Sequence, residues 1–498
     1  MPPQTGKEDV FVTPAEHGDP LEVLPPQLQK ERQRLEKLFT VDTEMLKKIT
    51  KRFGEELEEG LQKQGQNIPM NITWVTSLPT GQETGTYLAL DLGGTNLRVC
   101  RITLKGGDAE VEQEKYSLPS SIKTGTSDGL FDFIADSLQN FVKDHSSDSQ
   151  EDGELLPLGF TFSYPATQDR IDHGLLQTWT KGWDVDDVEG KDVAALLRSA
   201  IEKRKIPVKL VALMNDTTGA LIASRYKDPE TIIGAIFGTG CNAAYIEKCR
   251  NIPKLKSYDQ NISKTGTGNK DDIMAINCEY GAFDNSHKVL PRTPYDEAID
   301  NESPRPGEQS FEKMSAGLYL GEIFRQAVVD MWRRGVLFHS EPGRVDQDGK
   351  DRKNIEEPYT IDTEFLSQIE NDESEELADS KRLFEATVGL PNGENQLKPL
   401  SPDGQELLFL RNLAQLIAVR GARLCACGVS ALCQRQGVTT GHVAADGSVA
   451  IKHPHFRRRW EAAVAEILDS EVGKIQLTSA EDGSGIGAAV IVALNMAK

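Results

Sequence analysis

Two hydrophobic periods run along this chain. Leu46, Ile49, Phe53, Leu57 and Leu61 recur at spacings of three and four, predicting a helix with Asp42 or Thr43 as its cap. Thr86 to Leu104 then reads TYLALDLGGTNLRVCRITL: an apolar run, a polar glycine-rich turn and a second apolar run. That pattern predicts two strands joined as a hairpin, with Asp91 near the end of the first. LLPLGFTFSYPA is a strand run ended by Pro165, and VKLVALMN is a buried strand followed at once by a helix opening DTTGALIASRY. TIIGAIFGTGCNAAYIEK then repeats the hairpin, with Gly238-Thr239-Gly240 as its turn. Two hairpins of one construction, far apart in sequence, suggest a duplicated unit.

Polar stretches separate these elements. Residues 1–27 are Pro-rich and polar and read as a mobile arm, and Lys143–Glu154 reads as an acidic loop. Inserts around Lys254–Lys270 and Glu341–Ser380 are low in apolar residues and read as surface loops. A long helical half follows Phe311, with short β signals at GHVAADGSVAI and KIQLTSAEDGSGIG and an apolar final helix, Ala488 to Met496. Alternating strands and helices throughout give an α/β class.

With 498 residues the chain has room for two or more domains. Its net charge of −21, without a long basic stripe, argues against nucleic acid as a partner. An anionic substrate would need a local site working against that field. The seven cysteines form no disulfide framework, and Cys425, Cys427 and Cys433 lack the spacing of a zinc site; they read as thiols packed beside a helix. Such usage suits a reducing compartment. The first residues lack an h-region or an Arg-rich amphipathic helix, and no run reaches the ~18 apolar residues of a membrane span. The expectation is a cytoplasmic protein without a membrane partner.

The turns carry the candidate chemistry. Glycine-rich turns expose N–H groups that, with threonine hydroxyls, cradle phosphate oxygens. Asp91 beside the first is placed to hold Mg²⁺ directly or through water. A plain hairpin turn explains one such loop equally well, but the second, matched loop favours phosphate. No Walker A motif is present, and GTGCNAAY does not complete a dinucleotide fingerprint. Asn215-Asp216 closes a buried strand and opens a helix: a simple N-cap, or a carboxylate where α/β folds bind ligands, able to accept a proton from a substrate hydroxyl. Glu279 in NCEYGAFDN and Glu312 in SFEKMSAG are surface acids or acceptors for a polyhydroxylated ligand. Ser163, Thr180 and Lys181, within FTFSYPATQDRIDHGLLQTWTKGW, read from physics alone as strand and loop, with Lys181 solvated.

LALDLGGTNLRV, LGFTFSYPATQ, TWTKGW, MNDTTGAL, IFGTGCNAAYIE, MAINCEYGAFDN, FEKMSAGLYLGE, TGHVAADGSV and EDGSGIGAA occur in the order of the eukaryotic hexokinases. From about Leu28 to the C-terminus the chain resembles the single-unit fungal members of that family. The resemblance implies a two-domain, actin-like ATPase fold (a duplicated ribonuclease H-like fold) around an interdomain cleft. It places residues 28–226 mostly in the small domain and residues 227–498 mostly in the large one, the last helix returning to the small domain.

It implies an ATP-dependent hexokinase using Mg²⁺, acting on the 6-hydroxyl of glucose, fructose or mannose in the first step of glycolysis. Asp216 resembles the catalytic base, and Ser163, Thr180, Lys181, Asn215, Asn242, Glu279 and Glu312 the hexose ligands. Asp91, Leu92, Gly93, Gly94, Thr95, Asn96, Lys115, Gly238, Thr239 and Gly240 match phosphate positions, with Asp91 nearest the metal. Gly317, Asp446, Gly447, Ser448, Gly483, Ser484 and Gly485 resemble the nucleotide side. Ile486 stands where animal hexokinases carry Lys, and the length fits one catalytic unit, as a monomer or a homodimer. A glucose-restricted glucokinase, a silent sugar sensor and an actin- or chaperone-like ATPase are the rival readings.

Overall fold

Strands β1 (Thr84–Leu92), β2 (Asn96–Lys105) and β3 (Ala109–Ser117) form an antiparallel meander. Strands β4 (Leu156–Phe162) and β5 (Val208–Met214) join parallel beyond β1, giving the order β3-β2-β1-β4-β5. The second half repeats this plan. Strands β6 (Thr231–Phe237), β7 (Cys241–Lys248) and β8 (Ile273–Asn277) are the meander, and β9 (Gly441–Asp446) and β10 (Ile475–Ser479) the parallel pair, in the order β8-β7-β6-β9-β10. A two-residue strand, Asn71–Ile72, extends the β8 edge. The repeated order is the duplicated ribonuclease H-like plan of the actin-like ATPase fold, so the duplication read from the two hairpins extends to whole sheets. These observations come from a computed structural model that describes residues 24–145, 155–179, 183–258, 271–338, 352–391, 397–480 and 482–497.

Each half ends in a helix that packs away from its own sheet. Asp216–Lys227 follows β5 and lies against β6, where a Cβ on Gly234 would meet the Leu221 nitrogen at 2.5 Å. Gly483–Met496 follows β10 and lies against β1 and β4, where a Cβ on Gly159 would meet the Ala488 Cβ at 2.9 Å. The two helices also pack on each other, which locks the halves together along a shared core.

Between β8 and β9 the chain builds a helical block around the helix Gly404–Gln436. This helix is long and apolar enough to cross a membrane by length and composition, although the sequence offers no uninterrupted apolar run of that length. It is instead buried almost all round, joining one core cluster through Leu407–Ile417 and another through Ala422–Cys433. Cys425, Cys427 and Cys433 are buried on it as free thiols.

Three expectations need correction. The insert Glu341–Ser380 is no simple surface loop. Within it Thr363–Glu370 is a helix capped by Asp362, and Ala378–Thr387 begins another. Phe365, Leu366 and Ile369 share an apolar face that the acidic composition obscures. Lys254 is buried, its ammonium donating to the carbonyls of Gly60, Pro69 and Met70, so the start of the other insert is pinned. Residues 1–23 of the expected arm lie outside the described residues. Leu24 is already buried and a helix begins at Pro26, ahead of the predicted boundary, because Leu24, Leu28 and Leu35 enter the helical block's core.

Candidate active site

The first hairpin supplies a polar row across the sheet. The register sets Lys115 opposite Arg98, Arg98 opposite Asp91, and Asp91 beside Thr161 on β4. Paired residues share a face, so these side chains meet at one level. Arg98 Nη2 lies 3.2 Å from Asp91 Oδ2, and Ser484 Oγ donates to the same oxygen at 2.6 Å. Arg98 also pairs with Asp482 at 2.5 Å. The turn itself is closed by Gly93 N–H donating to the Asn96 carbonyl at 3.1 Å. Its Gly93 and Gly94 carbonyls accept from Tyr164 Oη and Trp183 Nε1 respectively.

Asp216 stands at the start of its helix because Asn215 caps it: the Asn215 Oδ1 accepts from the Thr217 N–H at 2.8 Å. Thus the capping reading of this pair holds for Asn215. Asp216 Oδ1 accepts from Thr217 N–H and Oγ1.

Next to it lies a cluster of amides around Glu279. Its Oε1 accepts from Asn277 at 2.9 Å, Asn242 at 3.1 Å and Asn215 at 3.4 Å. Asn242 Nδ2 also donates to Asn277 Oδ1 and Thr217 Oγ1, while its Oδ1 accepts from the Glu279 N–H. Asn215 and Thr217 come from the first half, and Asn242, Asn277 and Glu279 from the second. Glu279 holds a left-handed φ of 55°, a costly conformation for a non-glycine residue and one concentrated at functional sites. Glu312 approaches from the helix Ser310–Ser315, accepting from the Cys241 N–H at 3.1 Å. A Cβ on Gly240 would come within 2.6 Å of its carboxylate, so the glycine makes room for it.

Around the second turn the predicted nucleotide residues pack together. Gly317 N–H donates to the Gly238 carbonyl at 2.7 Å, and Leu318 N–H to that of Thr239 at 3.3 Å. Gly447 has φ 107°, and a Cβ there would meet the Gly238 nitrogen at 2.6 Å. Asp446 is paired with Ile236 in the β9–β6 register, and Ser448 begins the short helix behind it. Gly483, Ser484 and Gly485 differ in role. Gly483 sits against Ala220, Gly485 against the Asp482 carboxylate, and the Ser484 side chain is engaged by Asp91 and Arg98.

Four acids, Asp91, Asp216, Asp446 and Asp482, lie near enough to influence one another. Burial pushes the Asp91 carboxyl above its ordinary range, and Asp216 and Asp482 add to the effect against the pull of Arg98 and Ser484. Burial likewise raises Asp446, with Asp216 and Asp482 again adding. Such crowded negative charge favours a cation or a proton there. Among the described residues no three Asp, Glu, His or Cys side chains gather to hold a metal by themselves. That donor set fits Mg²⁺ held by phosphates and water with Asp91 as its protein acid.

Ser163 is buried at the end of β4, whereas Thr180 and Lys181 lie outside the described residues. Sequence reasoning missed Asn277, Arg98, Asp482, Tyr164 and Trp183. All five fall in or beside quoted motifs; an Asn closing the apolar strand IMAIN was the one usable signal.

The family model described as Hexokinase matches this chain in two parts, over residues 31–226 and 232–494. Hexokinase of Emericella nidulans is 50% identical over 479 residues, covering 95% of this chain and 92% of the relative. Hexokinase-2 of Saccharomyces cerevisiae is 47% identical, covering 95% and 93%. The solved hexokinase from Schistosoma mansoni complexed with glucose superposes with a TM-score of 0.78 at 32% identity, covering 94% of this chain and 99% of that one.

Proposed function

The chain belongs to the hexokinase family, and from that premise we propose that it transfers the γ-phosphate of ATP to the 6-hydroxyl of glucose, fructose and mannose. The observation that carries this reading is the meeting of Asp216 with the Asn215–Asn242–Asn277–Glu279 cluster, drawn from both halves. Sugar hydroxyls donate as well as accept, so a hexose is matched by such a set of amides and carboxylates, and each unpaired hydroxyl would be costly. Glu312 and Ser163 extend the set, with Thr180 and Lys181 assigned on the family motif.

Asp216 takes the proton of the 6-hydroxyl as that oxygen attacks phosphorus, a role typically worth ~10²–10⁴-fold. Gly93–Asn96, Lys115 and Gly238–Gly240 hold the phosphates through N–H groups, hydroxyls and charge. Gly317 and Asp446–Ser448 form the nucleotide side, with Gly483–Gly485 behind Asp91. Mg²⁺, when bound, would supply charge neutralisation on the phosphates, and Asp91 is the side chain that would hold it. Because ligands for one sugar come from both halves, sugar binding draws them together and excludes water as a competing acceptor. The domains divide as 28–226 and 227–498, with the last helix belonging to the first. Seven buried, unpaired thiols support a cytosolic setting.

A coupled ADP-release assay with each hexose tests the reading. Turnover with glucose, fructose and mannose supports it. Turnover with glucose alone replaces it with a glucokinase, and sugar binding without turnover replaces it with a sensor. ATP hydrolysis indifferent to sugar would leave a bare ATPase.

A further inference from the structure

The two carbonyls of the first turn are each held by an aromatic donor from a distant segment. Tyr164 Oη donates to the Gly93 carbonyl at 3.1 Å, and Trp183 Nε1 donates to the Gly94 carbonyl at 3.2 Å. In a trans peptide the C=O and the following N–H point in opposite directions. Holding these two oxygens therefore turns the N–H groups of Gly94 and Thr95 away from the aromatic side. Neither N–H donates to any described residue, although that of Gly93 is used to close the turn.

The donors are themselves fixed. Tyr164, Trp179 and Trp183 are buried and mutually packed, with Trp179 and Trp183 stacked at 5.3 Å and Tyr164 edge-on to Trp179 at 4.9 Å. Trp179 Nε1 is anchored on the Val185 carbonyl at 3.1 Å. The Trp179 N–H and Thr178 Oγ1 both donate to Glu189 Oε1. Burial, helped by Asp216 and Asp91, pushes the Tyr164 hydroxyl above its ordinary range, so it stays a donor at all working pH values. In sequence Trp179 and Trp183 bracket Thr180 and Lys181, while Tyr164 follows Ser163.

We propose that Trp183 and Tyr164 are positioning residues that aim the Gly94 and Thr95 N–H groups at the ATP phosphates, and that they tie the phosphate turn to the two segments carrying Ser163 and Lys181. The proposal rests on the hexokinase reading above. A turn of two glycines has many accessible conformations, and each clamped carbonyl removes some of them before the nucleotide arrives.

Tyr164→Phe removes one donor and keeps the ring, so its packing survives, whereas Trp183→Phe removes the other donor together with part of the buried indole and is read beside it. Each should raise the ATP KM about 5-fold, as expected for one lost hydrogen bond, with the glucose KM within about twofold. Hydrogen exchange at the Gly93 amide, which closes the turn on the Asn96 carbonyl, should quicken in both variants without any ligand, while exchange in β1 and β4 stays unchanged. Unchanged exchange and ATP KM in both variants would overturn the proposal. So would equal rises in both KM values with faster exchange across the whole sheet, which mark general loosening. Should Trp183→Phe fail to fold, Tyr164→Phe decides alone. If the parent enzyme phosphorylates no hexose, the family-based function fails while the exchange result still reports on the clamp.

Discussion

Gly219 and Gly487 touch backbone to backbone: a Cβ added to Gly487 would lie 2.5 Å from the Gly219 Cα. They sit on the closing helices of the two halves, and a Cβ added to Gly219 would in turn lie 2.9 Å from the Gly483 carbonyl oxygen. Nothing larger fits at this crossing. Gly487→Ala should therefore destabilise the protein by about 1–3 kcal/mol through overpacking. Chemical denaturation would show it as a lower midpoint at unchanged slope, and a midpoint equal to the parent's would mean that the helices part without cost.

Asp216→Asn keeps the size of the side chain but cannot take a proton. Turnover should fall by about 10²–10⁴-fold while glucose still binds measurably by calorimetry. A loss of less than about tenfold would remove Asp216 from the role of base.

Glu279→Gln should act on the sugar, since the carboxylate gathers amides from both halves. Losing a charged acceptor typically costs about 1.5–3 kcal/mol, a rise in hexose KM of about 10- to 150-fold with the ATP KM little changed. The reverse pattern would put Glu279 on the other ligand.

Arg305 Nη2 donates to Thr178 Oγ1 at 2.6 Å, a contact between the second half and the first residue of TWTKGW. Arg305 is half exposed, so the bond is screened and its loss modest. Arg305→Ala should raise the glucose KM about 3- to 10-fold, because closure around sugar loses one contact between the halves. In small-angle scattering, glucose should shrink the parent's radius at lower concentration than the variant's, and ATP analogues alone should do less. Identical titrations would show that the contact plays no part in closure.

Glu370 gives the pH prediction. Burial pushes its carboxyl up, but His453 and Arg459 outweigh burial and hold it at about 2. A depressed folded value stabilises the native state above the ordinary carboxyl range and loses that stabilisation as pH falls toward the folded value. The window is from about pH 5 to pH 2, and the amount is roughly 3 kcal/mol. The stability difference between the parent and Glu370→Gln should shrink across that window. A constant difference would show that Glu370 is not held ionised by its neighbours.

The sequence by itself determined the parts whose physics is local. Hairpin turns, strand runs and the Asn215 cap are decided within a few residues, by backbone geometry and alternation, so both glycine-rich hairpins and the places of Asp91 and Asp216 along the chain were legible. Motif order carried the family. Packing across the chain decided the rest. Ser484 reaches Asp91 from 393 residues away, and Asn242 on β7 becomes a partner of Asn277 and Glu279 only once β7 and β8 pair. The helix Thr363–Glu370 hides in an acidic segment because its apolar face matters only once it packs against the Gly317–Arg333 and Gly404–Gln436 helices. Gly483, read as a nucleotide residue, sits against Ala220, a contact fixed by how two distant helices cross. Local propensity fixes which elements form, but which side chains meet depends on long-range burial that no short window of sequence contains.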